Sequence, residues 1–265
     1  MYPDGPPLRP YSARPVVVAS VPEVLPSGSP DFAGDIRAAL GVWRRFPALP
    51  LMTTGYAGLT AAASSSWVGA PAAGLVVIIF LGWVGSERVW YLRAFTGRTL
   101  TARAALRASL SYWGRFVALS FSLMLLTIPL YLPVFVYGGL FDQDRVKAHE
   151  SLPLWALVYL AIGSLLVDFL LTFVTPAIVF NTRRARSAIR IGFRLLRLTW
   201  PHTAGYVLFP PLAVVLLTRF SRGPVGWGGA ALIVASSLIN LVAKGAVAAY
   251  YLRIMPITEP DGDID

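Results

Sequence analysis

The chain has 265 residues, 56% of them hydrophobic and only 14% charged, with a mean hydropathy of +0.63; this excludes an ordinary soluble domain, in which about half the residues are apolar and about a quarter charged. Its formal net charge of +10, from 23 Lys and Arg against 13 Asp and Glu, would suit nucleic acid, but the arginines flank apolar runs, so the basicity reads as membrane topology with no nucleic-acid partner. Without cysteine and with two histidines, His149 and His202, the chain can build no disulfide framework, thiolate nucleophile or multi-histidine metal site, and no cofactor is expected.

Residues 1–33 hold eight prolines among Gly, Ser and scattered charges, which blocks a continuous helix and predicts a disordered tail. Its one apolar run, 16–21, is too short for a signal-peptide core, so insertion is expected to rely on the first spanning helix. A six-helix transmembrane domain is predicted over 34–255, followed by an acidic tail over 256–265. The domain opens with DIRAALGVWRRFP, where Asp35 is well placed as an N-cap and Ile36, Leu40 and Trp43 fall on one side. A first span, 47–67, has no charge but many small residues, which suit close helix packing. A second runs through GLVVIIFLGWVG toward Glu87, Arg88 and Arg93, with Trp83, Trp90 and Tyr91 as interfacial aromatics.

Residues 101–113, TARAALRASLSYW, read as a short amphipathic helix. The third span, 116–140, carries Pro129 and Pro133, where a kink is expected. The polar break FDQDRVKAHES follows; its Asp142 and Asp144 form a DxD pair, better read as a solvated loop than as a cation site because Arg145 and Lys147 lie beside it. The fourth span, 152–180, contains Asp168 and Pro176. Next comes TRRARSAIRIGFRLLRLTW, in which Arg183, Arg186, Arg190, Arg194 and Arg197 share one narrow helical sector. Ile189, Ile191, Phe193, Leu195, Leu196, Leu198 and Trp200 take most of the rest. That composition fits a helix in the membrane interface with its cations on anionic lipid phosphates; the alternative is a juxtamembrane helix whose arginines only fix topology. The fifth span, 201–218, holds Pro210 and Pro211, and the sixth, 225–252, surrounds Lys244. His202, at an interface, reads as a capping or headgroup contact.

The sequence thus predicts an all-α polytopic integral membrane protein of six transmembrane helices plus short amphipathic interfacial helices. Loops on one side carry 18 Lys and Arg and those on the other 4, so both termini are expected in the cytoplasm. RAALGVWRRFP from Arg37, RAALRASLSYW from Arg103 and RIGFRLLRLTW from Arg190 align, and each precedes two spans, so the chain can be written as three repeats of interfacial helix and hairpin. Tyr91, Leu92, Arg93 and Tyr251, Leu252, Arg253 extend the match; chance similarity among arginine-rich helices is the rival reading.

The stretch FLLTFVTPAIVFNTRRARSAIRIGFRLLRLTW, with RAALRASLSYWGRF before it, resembles the polytopic bacterial membrane domains fused to some glycerophosphodiester phosphodiesterases, and related stand-alone proteins. The matching residues are Pro176, Ala177, Ile178 and Val179, then Arg190 to Trp200, within a resemblance that covers most of 35–253. Phe180 and Asn181 stand where such proteins often have an acid. The phosphodiesterase barrel is missing from this chain, so the resemblance implies a multi-pass protein of the plasma (inner) membrane and no phosphodiesterase activity.

Asp168 and Lys244 are the sharpest polar signals, because one charge at mid-span costs about 2.5–3.5 kcal/mol on insertion scales. Asp168 lies about 18 Å along its helix from Phe180, and Lys244 about 12 Å along its own from Leu252. The two are therefore expected as an intramembrane ion pair, with proton or substrate coupling, or a snorkelling Lys244, as alternatives. No HExxH, GxSxG, GxxxxGK[ST] or GxGxxG motif occurs. The readings in order are a lipid-interacting scaffold or accessory subunit with no catalytic site, a transporter or lipid translocase using Asp168 and Lys244, and a membrane-embedded lipid enzyme. The expected partners are the phospholipid bilayer and its anionic lipids; no protein partner follows from the sequence.

Overall fold

The computed structural model describes residues 31–63, 86–97, 101–137, 153–220 and 225–255, and every regular element among them is helical. In chain order these are α1 (Phe32–Arg45), α2 (Ala48–Ala63), α3 (86–95), α4 (Ala102–Tyr137), α5 (Leu154–Leu171), α6 (Val174–Phe180), α7 (Ala185–Phe220) and α8 (Val225–Ile254). Both tails, most of the second predicted span and the DxD loop lie outside the described residues.

Local chemistry explains most of the boundaries. Asp31, not Asp35, caps α1: its side chain accepts from the Gly34 N–H at 2.8 Å, and Asp35 is left inside the helix and buried. Arg44 and Arg45 close the last turn, where cations complement the helix dipole. Pro47 has no N–H to continue the helix, so the chain breaks at Phe46 before α2. Gly97, with φ of 72°, ends α3 in the left-handed conformation that glycine adopts without a Cβ penalty. The predicted fourth span divides at Thr172 and Phe173: Pro176 cannot donate to the Thr172 carbonyl four residues back, but it is tolerated in the first turn of α6.

Two expected interfacial helices are not separate elements. Residues 101–113 continue into the third span as α4, and 185–200 continue through Pro201 into the fifth as α7, each helix 36 residues long. The Arg197 carbonyl that Pro201 deprives of a partner lies on an exposed face of α7, where it can be solvated. At 1.5 Å per residue such a helix is about 54 Å long against about 30 Å of hydrocarbon, so roughly 24 Å extends beyond the bilayer core.

Three stretches, Leu154–Phe180, Ala185–Leu217 and Ala231–Ile254, are long and apolar enough to cross a membrane. Large apolar side chains point outward along α4 (Phe121, Leu125, Leu132), α5 (Leu154, Ile162, Leu166) and α7 (Leu208, Leu212, Leu216). A soluble chain would bury such surface, and a bilayer solvates it.

The buried core joins α1, the start of α2, α3, the first half of α4, α6, the first half of α7 and the second half of α8. Trp90 and Tyr91, expected at an interface, are fully buried there, as is Arg93. The three aligned segments share a burial register. Val42, Ala108 and Leu195 are buried, as are Phe46, Tyr112 and Thr199 four residues on, whereas Arg37, Arg103 and Arg190 are exposed. Each segment also packs on the end of the span preceding it: α4 on α3 through Trp90 Nε1 donating to Ser109 Oγ at 2.9 Å, and α7 on α6. α1 packs on α8, the last span, which closes the order into a ring.

Candidate functional site

Two buried polar clusters and one exposed cationic face carry the chemistry of the described residues. The first cluster sits where α2, α3 and α8 meet. Lys244 donates to Glu87 Oε2 in an ion pair, and Thr53 Oγ1 donates to Glu87 Oε1 at 3.2 Å. Glu87 is 3% exposed and Lys244 26%, so the acid is the deeper partner. Tyr91, one turn along α3, accepts from Trp43 Nε1 at 2.7 Å and donates to the Leu241 carbonyl at 3.1 Å. It thereby ties α1, α3 and α8 together, a junction that needs Gly245: a Cβ there would lie 2.5 Å from the Tyr91 ring and 2.7 Å from Ala39 Cβ.

Asp168 approaches this cluster from α5. Its side chain is exposed on the isolated chain, and it lies within electrostatic reach of Arg88 first and Lys244 second. Lys244 is held by Glu87 in an ion pair, and its expected partner Asp168 stands within electrostatic reach of both Arg88 and Lys244. Glu87 and Arg88 look in sequence like the charged flank of a span, and nothing in their spacing signals that α3 turns them inward. The four residues carry two formal charges of each sign.

The second cluster joins α1, α7 and α8. Arg253 donates to Asp35 Oδ1 in an ion pair, and Tyr206 Oη donates to Asp35 Oδ2 at 2.6 Å. The Tyr206 ring stacks on Tyr250 with centroids 5.3 Å apart, and Phe32 meets its edge at 4.9 Å. Burial pushes the Asp35 carboxyl above its ordinary range, against the downward pull of the Tyr206 hydrogen bond and the Arg253 charge. Lys244 and Arg253 are nine residues apart, so the clusters are separated by about 13.5 Å along α8. Between α6 and α8, Tyr251 Oη donates to Asn181 Oδ1 at 2.5 Å.

The third feature is the arginine face of α7. Arg183, just before the helix, and Arg186, Arg190, Arg194 and Arg197 on it are all exposed, while Ala188, Ile191, Leu195 and Thr199 are buried on the other side. Leu198 and Trp200, also exposed, put apolar surface beside the cations as a headgroup boundary requires. His202 is exposed as well. Among the described residues no three His, Cys, Asp or Glu side chains group as metal ligands. Comparison with family models, with curated proteins and with solved structures finds no match to this chain.

Proposed function

We propose that this chain is a six-span plasma-membrane protein, built from three repeated units with both termini cytoplasmic, that binds anionic phospholipid headgroups along α7 and serves as a lipid-interacting scaffold or accessory subunit. The arginine face carries the reading. Four exposed guanidiniums, with Arg183 exposed just before them, follow one side of a helix whose other side is anchored in the core and whose continuation is apolar enough to span the bilayer. Near an anionic leaflet each such cation contributes up to about 1 kcal/mol, enough in sum to select anionic over zwitterionic lipid. The shared burial register of the aligned segments and the ring order of their packing support the three-unit architecture, and the arginine asymmetry supports the topology.

Changing Arg183, Arg186, Arg190, Arg194 and Arg197 to Gln is expected to deplete anionic lipid co-purified in a neutral detergent, with folding checked by gel filtration. Unchanged lipid retention in a folded variant overturns the reading and leaves these residues as topology signals. A second reading, a transporter or lipid translocase, is favoured by the four-charge cluster of Glu87, Arg88, Asp168 and Lys244, because charged groups at membrane depth commonly line transport paths. Loss of a cellular phenotype in a stable Asp168→Asn, Lys244→Met double variant supports that reading over the scaffold.

A further inference from the structure

Among the described residues of the four-charge cluster, Arg88 has buried donors that stay open. Its Nε and Nη1 atoms are buried, and neither finds a hydrogen-bond acceptor. A guanidinium carries five N–H donors and does not lose its proton in proteins, so it cannot escape the penalty of burial by becoming neutral; it needs oxygen acceptors. The nearby anions do not provide them. Glu87, the stronger charge on Arg88, has its hydrogen bonds with Lys244 and Thr53, Asp168 acts on Arg88 more weakly, and neither accepts from the buried Nε and Nη1. Arg88 as a whole is half-buried and Asp168 is exposed, so among the described residues the cluster is uncovered on the α5 side.

We propose that Arg88 is the docking cation for an oxyanion, a phosphate or carboxylate group, that enters the cluster beside α5, and that Asp168 is the internal carboxylate with which this ligand competes. Glu87, the larger opposite charge at Arg88, is shared with Lys244, so Asp168 and the incoming anion compete for what remains of the Arg88 charge. Several oxygens on one small ligand satisfy donors that a single fixed side chain leaves open, which is the recognition chemistry guanidinium favours. The site is distinct from the arginine face of α7. It deepens the transport reading by naming a ligand class, and binding without transport would leave it standing while that reading fell.

The test uses the full chain in a neutral detergent, with thermal unfolding followed against inorganic phosphate and, separately, against a water-soluble short-chain phosphatidic acid, with sodium chloride at matched ionic strength as the baseline. A saturable rise in unfolding temperature is expected with at least one probe; a response to phosphate identifies a free anion, and a response to the short-chain lipid alone identifies a headgroup. Arg88→Gln should weaken apparent affinity by about tenfold or more, Asp168→Asn should tighten it, and the five-arginine variant of α7 should leave it unchanged. No saturable rise with either probe, equal affinity in Arg88→Gln, weaker affinity in Asp168→Asn, or loss of the response in the α7 variant overturns the proposal. Should Arg88→Gln not fold, Arg88→Lys takes its place, and unaltered affinity there is equally fatal.

Discussion

Gly192 and Gly205 lie on the same helix, α7, and differ in what a methyl group would meet. A Cβ on Gly192 would sit 2.6 Å from Val174 Cγ2, 2.9 Å from the Val174 backbone nitrogen and 3.1 Å from its Cα; a Cβ on Gly205 would find nothing within 4 Å. The methyl of Val174 can turn away only against a stiff χ1, and the backbone atoms can retreat only if α6 moves by about half an ångström. Six of the seven residues of α6 are buried, so that shift opens gaps across the whole interface, and a gap of 0.5–1 Å forfeits about a quarter to a half of each dispersion contact. Overpacking of this kind costs about 1–3 kcal/mol. Replacing glycine by alanine in a helix returns about 1 kcal/mol, and it does so at both positions. The difference between Gly192→Ala and Gly205→Ala therefore isolates the steric effect: Gly205→Ala should be neutral or stabilising, and Gly192→Ala should lie about 1–3 kcal/mol below it, on the order of 2–12 °C in unfolding temperature. Heating the two detergent-solubilised variants in parallel and measuring the fraction that still elutes as a folded peak gives the comparison. Equal midpoints would mean that α6 does not sit against α7 at Gly192, and the packing order described above would fail with it.

Lys244→Met should strand the buried Glu87 carboxylate and lower stability by about 2–4 kcal/mol, less than a fully buried pair because Lys244 is 26% exposed. Adding Glu87→Gln should recover most of that loss, whereas adding Asp168→Asn should recover less; a thermal double-mutant cycle measures both, and the reverse order would restore the Asp168 pairing. For Asp35 the folded-state affinity for a proton is raised above the ordinary value of 3.8, so its contribution is fully present below that value and is lost as pH rises through the folded one. Mild acidification should thus raise the unfolding midpoint of the wild type more than that of Asp35→Asn, and identical pH profiles would remove Asp35 as the cause. A reporter fused at Gln143 should be active outside the cytoplasm, and an active cytosolic reporter there would overturn the six-span topology.

What the sequence reveals here is what periodicity controls. The arginine sector of 182–200 is a property of 3.6-residue geometry, and Arg186, Arg190, Arg194 and Arg197 emerge on the exposed face of α7, with Arg183 exposed just before it. The segments beginning at Arg37, Arg103 and Arg190 share burial at Val42, Ala108 and Leu195. What it conceals is set by contacts distant in sequence. Asp35 has the chemistry of a cap, and only the arrival of Arg253 and Tyr206 makes it an internal acid; Asp31, one turn earlier, has the same chemistry and takes the end. Glu87, Arg88 and Arg93 look like the charged edge of a span because positive flanks are expected there. Their inward placement depends on α3 packing against α1 and α8, which no local pattern encodes. Helix continuity was hidden for a different reason: Pro201 reads as a boundary, yet a proline on an outward face leaves a carbonyl that solvent can satisfy, and the helix runs on.

The closure of the ring bears on how such a chain assembles. Asp35 meets Tyr206 across 171 positions of sequence and Arg253 across 218, so α1 emerges long before the groups that neutralise its buried acid. Among the described residues the cation paired with Asp35 is Arg253 of α8, so the buried carboxylate of α1 has this partner only once α8 is docked. The amphipathic pattern of α1 suits that wait, with Arg37, Arg44 and Arg45 exposed and Ala39 and Val42 available to the core. Docking on α8 then does three things in one step: it pairs Asp35 with Arg253, brings Ala39 against the bare backbone at Gly245, and completes the Trp43, Tyr91 and Leu241 hydrogen-bond chain. None of these is local; if α1 leaves, the Asp35 pair, the Ala39 contact and the Trp43 bond to Tyr91 go together, while the Tyr91 bond to Leu241 joins α3 to α8 without it. A single substitution at Gly245 therefore disturbs α1, α3 and α8 at once.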